Sequence, residues 1–275
     1  MLTIQNLTIS SGSQLLVNGL NLELRAGEWL ALAGESGSGK TLAAASIGGL
    51  LPRGISYRGT LNWKGTDLTN LPPARRRKLL GLEIRYIFQD YQGAFTPFIT
   101  IGKQLDELLS THTDLDRHAR RALGIEALER VNLPGDRVYR SYPFQLSGGQ
   151  LQRATIASAL MLHPALIIAD EPTTALDSLT AQRVLKLIAA AKERMNTSVL
   201  WITHDLRHVR KYADRVAVMC RGELVEQGTK DEVLYTPSHP YTKRLIAAIP
   251  PLSPDAPERL GQMPLSRRLK EGALK

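Results

Sequence analysis

The sequence is poor in cysteine and has no long apolar run. Cys220 is the single cysteine among 275 residues, which excludes an internal disulfide framework and any all-cysteine metal or iron–sulfur site within this chain. A chain without disulfides suits a reducing cytoplasm. Apolar runs such as residues 165–169 are far shorter than the roughly 18 residues that a membrane-spanning helix needs. The N-terminus has neither a basic nor an apolar segment, so we expect no signal peptide.

Acidic residues are also outnumbered, with 35 Lys and Arg against 26 Asp and Glu. A positive net charge permits nucleic acid or an anionic membrane surface as a partner. Most of the excess lies in two segments: residues 75–85 have five basic residues and one acidic residue, and residues 243–275 have seven and three. Because a basic run is commonly a solvated surface, the charge alone identifies no partner.

Apolar patterns typical of strands alternate with patterns typical of helices. Alternation at residues 2–9 and 20–24 predicts antiparallel strands with one buried face, and residues 55–64 are predicted to form an edge strand. Further strands are predicted at residues 29–33, 84–89, 166–169, 199–202 and 216–219. Helices are predicted at residues 40–50, 178–195 and through most of 102–160, with the basic run 75–78 in a surface loop before another helix. This order predicts an α/β fold with an inserted helical subdomain.

One segment matches the pattern G-x-x-x-x-G-K-[ST] in full, between a predicted strand and a predicted helix. Its glycines let successive backbone N–H groups turn towards phosphates, and the helix N-terminus adds partial positive charge. Lys40 supplies a point charge for the β- and γ-phosphates, and the Thr41 hydroxyl can ligate Mg²⁺. The predicted nucleotide contacts are Gly34, Glu35, Ser36, Gly37, Ser38, Gly39, Lys40, Thr41 and Leu42. The motif predicts a P-loop NTPase.

Two acidic residues end the predicted strand at 166–169. A carboxylate at the C-terminal end of such a strand lies beside the phosphate loop in this fold class. Asp170 can hold Mg²⁺, and Glu171 can polarise or position an attacking water. On their own, two solvated acids at a strand end would have no significance; with the phosphate loop they predict phosphoryl transfer to water.

A further motif is formed by residues 146–150, Leu-Ser-Gly-Gly-Gln. Ser147 is a plausible N-cap, and two glycines at a helix start form an anion cradle. The motif resembles, letter for letter, the signature of ATP-binding cassette (ABC) proteins. In that family the cradle, here Ser147, Gly148, Gly149 and Gln150, grips the γ-phosphate of ATP bound to the partner subunit.

The other motifs of that family follow in its order. Gln89 resembles the Q-loop glutamine, which ligates Mg²⁺, and Asp170 and Glu171 match the family's magnesium-binding aspartate and catalytic glutamate. Residues 175–177 are similar to the D-loop at the dimer interface, with Asp177 as a site residue. His204 resembles the switch histidine that contacts the γ-phosphate. The resemblance therefore implies ATP and Mg²⁺ as cofactors, with Glu171, His204 and Gln89 as catalytic residues and Thr41, Gln89 and Asp170 as metal ligands.

The resemblance also implies a domain organisation. It covers about residues 1–249 as an ATPase domain, whose P-loop NTPase core carries an N-terminal antiparallel β-subdomain. A helical signature subdomain at about residues 93–160 is inserted in this core. Prolines crowd the sequence after residue 237, so residues 250–275 are expected to form an irregular basic tail.

Two segments resemble one subfamily, the importers of peptides, nickel and metal–opine complexes. Residues 87–97 are similar to its extended Q-loop, although Tyr91 and Thr96 depart from the Pro and Asn usual there. Residues 237–245 (Pro-Ser-His-Pro-Tyr-Thr-Lys-Arg-Leu) are similar to its tail motif. Peptide members usually carry a longer tail with clustered cysteines, so a chain of this length with only Cys220 is more like the nickel or metallophore members.

This resemblance implies a subunit that powers uptake of nickel- or cobalt-type metals, metal–opine complexes, or di- and oligopeptides. The implied partners are a second, related ABC ATPase in a heterodimer, two membrane permease subunits and an extracytoplasmic substrate-binding protein, with no nucleic acid. The implied location is peripheral, at the cytoplasmic face of the cell membrane.

Three alternatives remain beside the importer. The first is an ABC ATPase of a soluble complex, such as a phosphonate-lyase assembly. The second is a ribosome-associated or nucleic-acid-associated ABC protein, although such proteins commonly have two cassettes or long coiled-coil inserts. The third is a degenerate regulatory cassette, against which the intact Glu171 and His204 argue.

One family element is missing. ABC ATPases usually stack adenine on an aromatic side chain about thirty residues before the P-loop lysine, but residues 10–14 read Ser-Ser-Gly-Ser-Gln. Stacking a base on an aromatic ring contributes about 1–3 kcal/mol in proteins that bind single-stranded nucleic acids. We therefore expect weaker and less base-selective nucleotide binding.

Overall fold

The structure, a computed structural model, describes residues 1–173 and 176–248. The chain forms two compact units. Of the described residues, the first unit comprises Met1–Leu24, Glu28–Thr69 and those from Ile202 to Ala248, and the second comprises Arg25–Gly27 and those from Asn70 to Trp201.

Strands and helices alternate through most of the chain. The strands are β1 (Leu2–Ser11), β2 (Gln14–Leu24), β3 (Trp29–Ala33), β4 (Ile55–Trp63), β5 (Thr66–Asp67), β6 (Ile84–Ile87), β7 (Leu166–Asp170), β8 (Ser198–Thr203), β9 (Arg215–Cys220) and β10 (Glu223–Thr229). The helices are α1 (Lys40–Gly48), α2 (Pro73–Leu82), α3 (Ile101–His112), α4 (Arg117–Arg130), α5 (Gly135–Arg140), α6 (Gly148–Leu160), α7 (Ser178–Met195), α8 (Leu206–Tyr212), α9 (Lys230–Tyr235) and α10 (Pro240–Ala247).

The first unit contains an antiparallel sheet with the strand order β2-β1-β4-β5. Strand β1 pairs with both neighbours, with Leu2 opposite Leu24 on one side and Trp63 on the other. The alternating apolar side chains of β1 and β2 are buried, which confirms the predicted one-sided strands. The predicted strand at residues 55–64 is present as β4, and its outer edge pairs with the two-residue strand β5 only at Asn62 and Trp63.

The first unit also contains strands β3, β9 and β10. Strand β3 is buried along its whole length and runs parallel to β9, as expected of a strand covered on both faces. Strand β10 pairs antiparallel with β9. It was not predicted, because Glu223–Thr229 is a mixed, half-exposed sequence without apolar alternation. Helix α1 ends at Gly48, one residue before Gly49 adopts a left-handed C-cap, and so is shorter than predicted.

The second unit contains strands β6, β7 and most of β8, in the order β8-β7-β6. Strands β6 and β7 are parallel, with Ile87 opposite Ala169. Helices α3 to α6 lie between these two strands in sequence, which confirms the predicted helical middle of the chain. They pack closely, since a Cβ added at Gly102 of α3 would meet the ring of Tyr139 in α5. The subdomain boundaries at about 93–160 stay a prediction.

The basic run at residues 75–78 lies in helix α2, so the prediction of a surface loop there is wrong. Pro73 occupies the first position of the helix, where its missing N–H costs nothing. Arginine and lysine are good helix formers, and their charged ends can remain in water while the helix continues. Arg75, Arg77 and Lys78 are exposed, as expected of a solvated basic face.

None of the helices within residues 1–173 and 176–248 is both long and apolar enough to cross a membrane. The predicted basic tail at residues 250–275 lies outside the described residues, as does Ala175 of the predicted D-loop.

Candidate functional site

The phosphate-binding loop connects β3 to α1 in the first unit and wraps around a buried ammonium group. Lys40 is only 4% exposed. Its Nζ donates to the carbonyl oxygen of Gly34 at 2.9 Å and to that of Glu35 at 2.7 Å. The loop backbone therefore holds the ammonium in place, while Glu35, Ser36 and Gly37 are exposed at the surface.

Gly34 must be glycine because the chain passes very close to another strand. Its φ is +147°, and a Cβ there would meet the carbonyl oxygen of Met219 and lie 2.9 Å from Ser38 Oγ. The turn after β9 supports the same loop, since the N–H of Gly222 donates to the Ser38 carbonyl at 3.2 Å. The loop is thus fixed by contacts within its own unit.

The start of helix α1 suits an anion. Gly39 occupies the N-cap position, in the left-handed region, and no side chain caps the helix. The first N–H groups of the helix and its dipole therefore face the loop, as in known phosphate sites. Thr41 and Leu42 follow in the first turn, and Thr41 is exposed. These features fit the phosphate groups of ATP.

Three predicted site residues lie at one edge of the second unit. Strands β6 and β7 are parallel and in register from Ile84 to Ile87, so the segments that follow them leave the same edge of the sheet. Gln89 follows β6 by two residues, Asp170 ends β7, and Glu171 comes directly after it. Asp170 is 9% exposed, whereas Gln89 is exposed.

Glu171 has a strained backbone. Its φ is +45°, in the left-handed region that side chains other than Gly, Asn and Asp seldom adopt. Such a conformation costs of order 1 kcal/mol or more and is found mainly where the surrounding structure needs a side chain in one place. The strain, which the sequence pattern could not show, supports the prediction that Glu171 is a functional residue.

The predicted magnesium ligands have suitable chemistry. A threonine hydroxyl, a glutamine amide oxygen and a carboxylate are hard oxygen ligands of the kind that Mg²⁺ takes, with phosphates and water completing its shell. The described residues contain no group of three or more His, Cys, Asp or Glu side chains that could hold a metal ion. By their chemistry, Thr41 in the first unit and Gln89 and Asp170 in the second unit each fit the predicted role of a Mg²⁺ ligand.

The signature segment begins helix α6, as predicted. Ser147 caps the helix: its Oγ accepts from the Gln150 N–H at 3.3 Å, while the Gln150 side chain accepts from the Ser147 N–H at 3.0 Å. A Cβ added at Gly148 would lie 3.0 Å from Tyr91 Oη, but no described atom lies within 4 Å of a Cβ added at Gly149. Gly149 thus borders open space.

Gln152, one turn further along α6, is a residue that the sequence reasoning missed. It is 4% exposed, and its Nε2 donates to the carbonyl oxygen of Pro172 at 2.8 Å. This bond ties the signature helix to the segment directly after Glu171. The sequence gives no signal that singles it out, because α6 also contains Gln150, Arg153, Thr155 and Ser158.

Asp177 has a structural role in the described part of the D-loop. Its carboxylate accepts from the N–H groups of Leu179 and Thr180 and caps helix α7. Hydrogen bonds donated to its carboxylate by the Thr180 side chain and by the Thr180 backbone N–H hold the pKa of Asp177 below its usual range. The carboxylate is exposed, so its predicted role at a dimer interface stays a prediction.

His204 is exposed directly after β8. The next residue, Asp205, caps helix α8 and pairs with Arg207 at 2.6 Å. Burial raises the pKa of Asp205, but its bonds to Arg207 outweigh this and leave the pKa below its usual range. His204 thus lies between a buried strand and a rigid helix start. It shares the first unit with the phosphate loop, while Gln89, Asp170, Glu171, Asp177 and the signature residues 147–150 share the second.

Two family models match the chain. The model described as "ABC transporter" matches residues 17–174, and the model described as "Oligopeptide/dipeptide transporter, C-terminal region" matches residues 225–273. The first match covers the phosphate loop, the signature segment, and Asp170 and Glu171 at the end of β7. The second covers helices α9 and α10.

Curated relatives match over most of their length. The chain is 40% identical over 271 residues to the oligopeptide transport ATP-binding protein OppD of Bacillus subtilis, covering 96% of this chain and 76% of the relative. It is 42% identical over 250 residues to the metal-staphylopine import system ATP-binding protein CntD of Staphylococcus aureus, covering 90% and 92%.

Solved structures match as well. The dimeric post-hydrolysis state of the ATP-binding cassette MJ0796 bound to ADP and Pi superposes with a TM-score of 0.73 at 28% identity, covering 84% of this chain and 99% of that one. CbiO1 from Clostridium perfringens, part of the ABC transporter complex cbiONQ, gives 0.73 at 25% identity, covering 84% and 89%. These matches confirm the predicted P-loop NTPase fold.

Proposed function

Since the chain belongs to the ABC transporter family and is therefore an ABC-type ATPase, we propose that it powers an importer by hydrolysing ATP at its cytoplasmic face. The observation that carries the proposal is the presence of two matches in one chain. An ATPase region at residues 17–174 is followed by a C-terminal region of the oligopeptide/dipeptide transporter type at residues 225–273.

The proposed cargo is a nickel- or cobalt-type metal, a metal–opine complex, or a short peptide. Relatives named for oligopeptide transport and for metal-staphylopine import are 40% and 42% identical to the chain, so identity does not separate these cargos. A soluble phosphonate-lyase assembly, the other candidate, is not favoured, because these relatives belong to transport systems.

The proposed ATP site combines residues of two ATPase subunits. The N–H groups of the loop and Lys40 bind the β- and γ-phosphates, and Glu171 orients and polarises the attacking water, with His204 contacting the γ-phosphate. Thr41, Gln89 and Asp170 would hold Mg²⁺, which would neutralise charge on the phosphate oxygens. The signature segment would face the nucleotide of a second, related ATPase subunit, consistent with the open space beside Gly149.

Exposed aromatic side chains support a membrane permease as partner. Phe98 is 84% exposed and Phe144 is 67% exposed, and Phe144 stacks on Tyr142 with ring centroids 5.4 Å apart. Both segments belong to the second unit, Phe98 just after the Q-loop segment and Phe144 just before the signature. Exposed aromatic rings are typical of protein interfaces. We propose that two permease subunits cover them and that an extracytoplasmic binding protein delivers the cargo.

The variant Gly149→Ala tests whether this glycine is needed for ATP hydrolysis and not for folding. Gly149→Ala should leave the chain as stable as before or more stable by up to about 1 kcal/mol, because alanine favours helix and meets no described atom. ATP hydrolysis by the assembled subunits should nevertheless fall at least tenfold, since the methyl group would fill the space reserved for the partner's nucleotide. Thermal unfolding and steady-state turnover test both halves. Unchanged turnover in a stable variant would refute a site that combines residues of two subunits.

The relative affinity for ATP and GTP tests the prediction that no aromatic side chain stacks on the base. In the hairpin formed by β1 and β2, the side chain of Leu15 is apolar and 52% exposed, but it has no ring. Because the chain lacks a stacking contact worth about 1–3 kcal/mol, nucleotide binding should be weaker, and ATP and GTP should bind within about tenfold of each other. Competition titrations with the purified chain measure this. A preference for ATP far above tenfold, combined with tight binding, would contradict the prediction.

Cargo uptake tests the proposed function itself. Cells that lack the gene would be complemented with the wild-type chain or with Glu171→Gln, and uptake of labelled tripeptide, free nickel and an opine–nickel complex would be followed. We expect one cargo class to depend on the wild-type chain and not to be restored by the variant. Uptake of all three that is independent of the chain would exclude the importer.

A further inference from the structure

We propose that Tyr241 is a positioning residue for the phosphate-binding lysine. Tyr241 lies in helix α10, more than 200 positions from the loop in sequence, but its hydroxyl oxygen accepts a hydrogen bond from the backbone N–H of Glu35 at 3.1 Å. Both groups belong to the first unit, and the tyrosine is 7% exposed. This role rests on the proposed contact between Lys40 and the phosphates of ATP.

A single peptide group connects Tyr241 with Lys40. The N–H of Glu35 and the carbonyl of Gly34 belong to the same planar unit. Tyr241 holds the N–H side of that plane, while Lys40 Nζ donates to its carbonyl side at 2.9 Å. Rotating the plane would break both bonds together. Tyr241 therefore fixes the orientation of the carbonyl that anchors the ammonium.

Helix α10 is itself held firmly in the first unit. The Glu226 carboxylate of β10 accepts from the Ser238 N–H at 2.7 Å, from Ser238 Oγ at 2.8 Å and from the His239 N–H at 3.2 Å. The His239 ring then caps the helix by accepting from the Tyr241 N–H at 3.2 Å. A chain of hydrogen bonds thus runs from β10 through the helix start to the phosphate loop.

The protonation states suit this arrangement. Burial raises the pKa of Glu226, but the hydrogen bonds from the start of α10 outweigh this and hold its pKa below its usual range. The anchor is therefore present at neutral pH and is lost only as the pH falls through that lowered pKa. Burial also raises the pKa of Tyr241, so its hydroxyl remains neutral and can accept the Glu35 N–H.

Tyr212 provides a matched control. Its hydroxyl is also buried, but it has no hydrogen-bond partner within residues 1–173 and 176–248, and its ring packs on Trp29. Tyr241→Phe and Tyr212→Phe delete the same atom and keep both rings in place, so each variant should fold. Only the first deletion releases the peptide group that anchors Lys40.

The experiment compares ATP affinity and turnover of the full chain with those of the two variants. Tyr241→Phe should raise Kd and KM for ATP about two- to tenfold, the usual worth of one hydrogen bond, and change kcat less than twofold, since it affects binding of ground state and transition state alike. Tyr212→Phe should leave Kd, KM and kcat unchanged. Equal KM values for the two variants would overturn the proposal, even if Tyr241→Phe lowered the melting temperature.

The outcomes separate this inference from the proposed function. A wild-type chain that neither binds nor hydrolyses ATP would refute the nucleotide site as a whole. A wild-type chain that does both, with a Tyr241→Phe variant that matches it in Kd and KM, would refute the positioning role alone.

Discussion

Glu171→Gln is expected to lower the rate of ATP hydrolysis about 10²- to 10⁴-fold while ATP still binds, because a positioned general base or water-orienting group contributes about this much. Glutamine keeps the size of the side chain and removes its negative charge. Lys40 and the loop are unchanged, so the variant should accumulate with ATP in a closed dimer. Steady-state turnover and gel filtration in the presence of ATP measure the two effects.

The exposed Glu193 in helix α7 offers the same chemical change away from the site. Glu193→Gln should hydrolyse ATP at the wild-type rate. Turnover by Glu171→Gln equal to that of this control would contradict the assigned role.

The strained backbone provides a second test at the same position. Because φ at Glu171 is +45°, Glu171→Gly should relieve strain of order 1 kcal/mol and leave the chain at least as stable as the wild type. Hydrolysis should still be lost. A loss of activity without a loss of stability would show that the glutamate side chain at this strained position is needed for hydrolysis and not for folding.

Lys40→Ala is expected to weaken ATP binding at least about 100-fold. A hydrogen bond to a charged group is worth about 1.5–3 kcal/mol, and the ammonium is proposed to serve two phosphates. The side chain is 4% exposed and already held by two loop carbonyls, so little further ordering is needed when the nucleotide binds. Titration with a fluorescent ATP analogue measures the loss.

Lys186 in helix α7 is an exposed lysine for comparison. Lys186→Ala should keep wild-type affinity, and thermal unfolding without nucleotide should show that both variants are folded. Retention of ATP affinity in a folded Lys40→Ala variant would refute the proposed phosphate site.

The elements that could be predicted from sequence are those with strong local signals. Strand β3 and helix α7 follow from a short apolar run and from helical periodicity, and the phosphate loop follows from glycine spacing. Strand β10 could not be predicted, since its pairing with β9 compensates for a polar sequence. The run at 75–78 was misplaced because its polarity obscured its helix propensity, which α2 realises after Pro73.

In the candidate site, too, some residues could be predicted from sequence, whereas contacts between distant segments could not. Asp170 and Glu171 were predicted from their place at the end of a strand, and Gln89 from its resemblance to the Q-loop glutamine. The register of β6 with β7 explains why the three residues share one edge. The contacts of Gln152 with Pro172 and of Tyr241 with Glu35 could not be foreseen, because they join segments far apart in sequence. The tail motif around Tyr241 was noticed as a resemblance, and the structure adds a physical contact to it.

Purification of the tagged chain from detergent-solubilised membranes of its own cell tests the central proposal most directly. The account predicts that a multi-span permease and a second ABC ATPase co-purify with the chain in fixed proportion, and that ATP hydrolysis by this complex is lost with Glu171→Gln. Isolation of the chain with soluble enzyme subunits and without any membrane-spanning protein would contradict it.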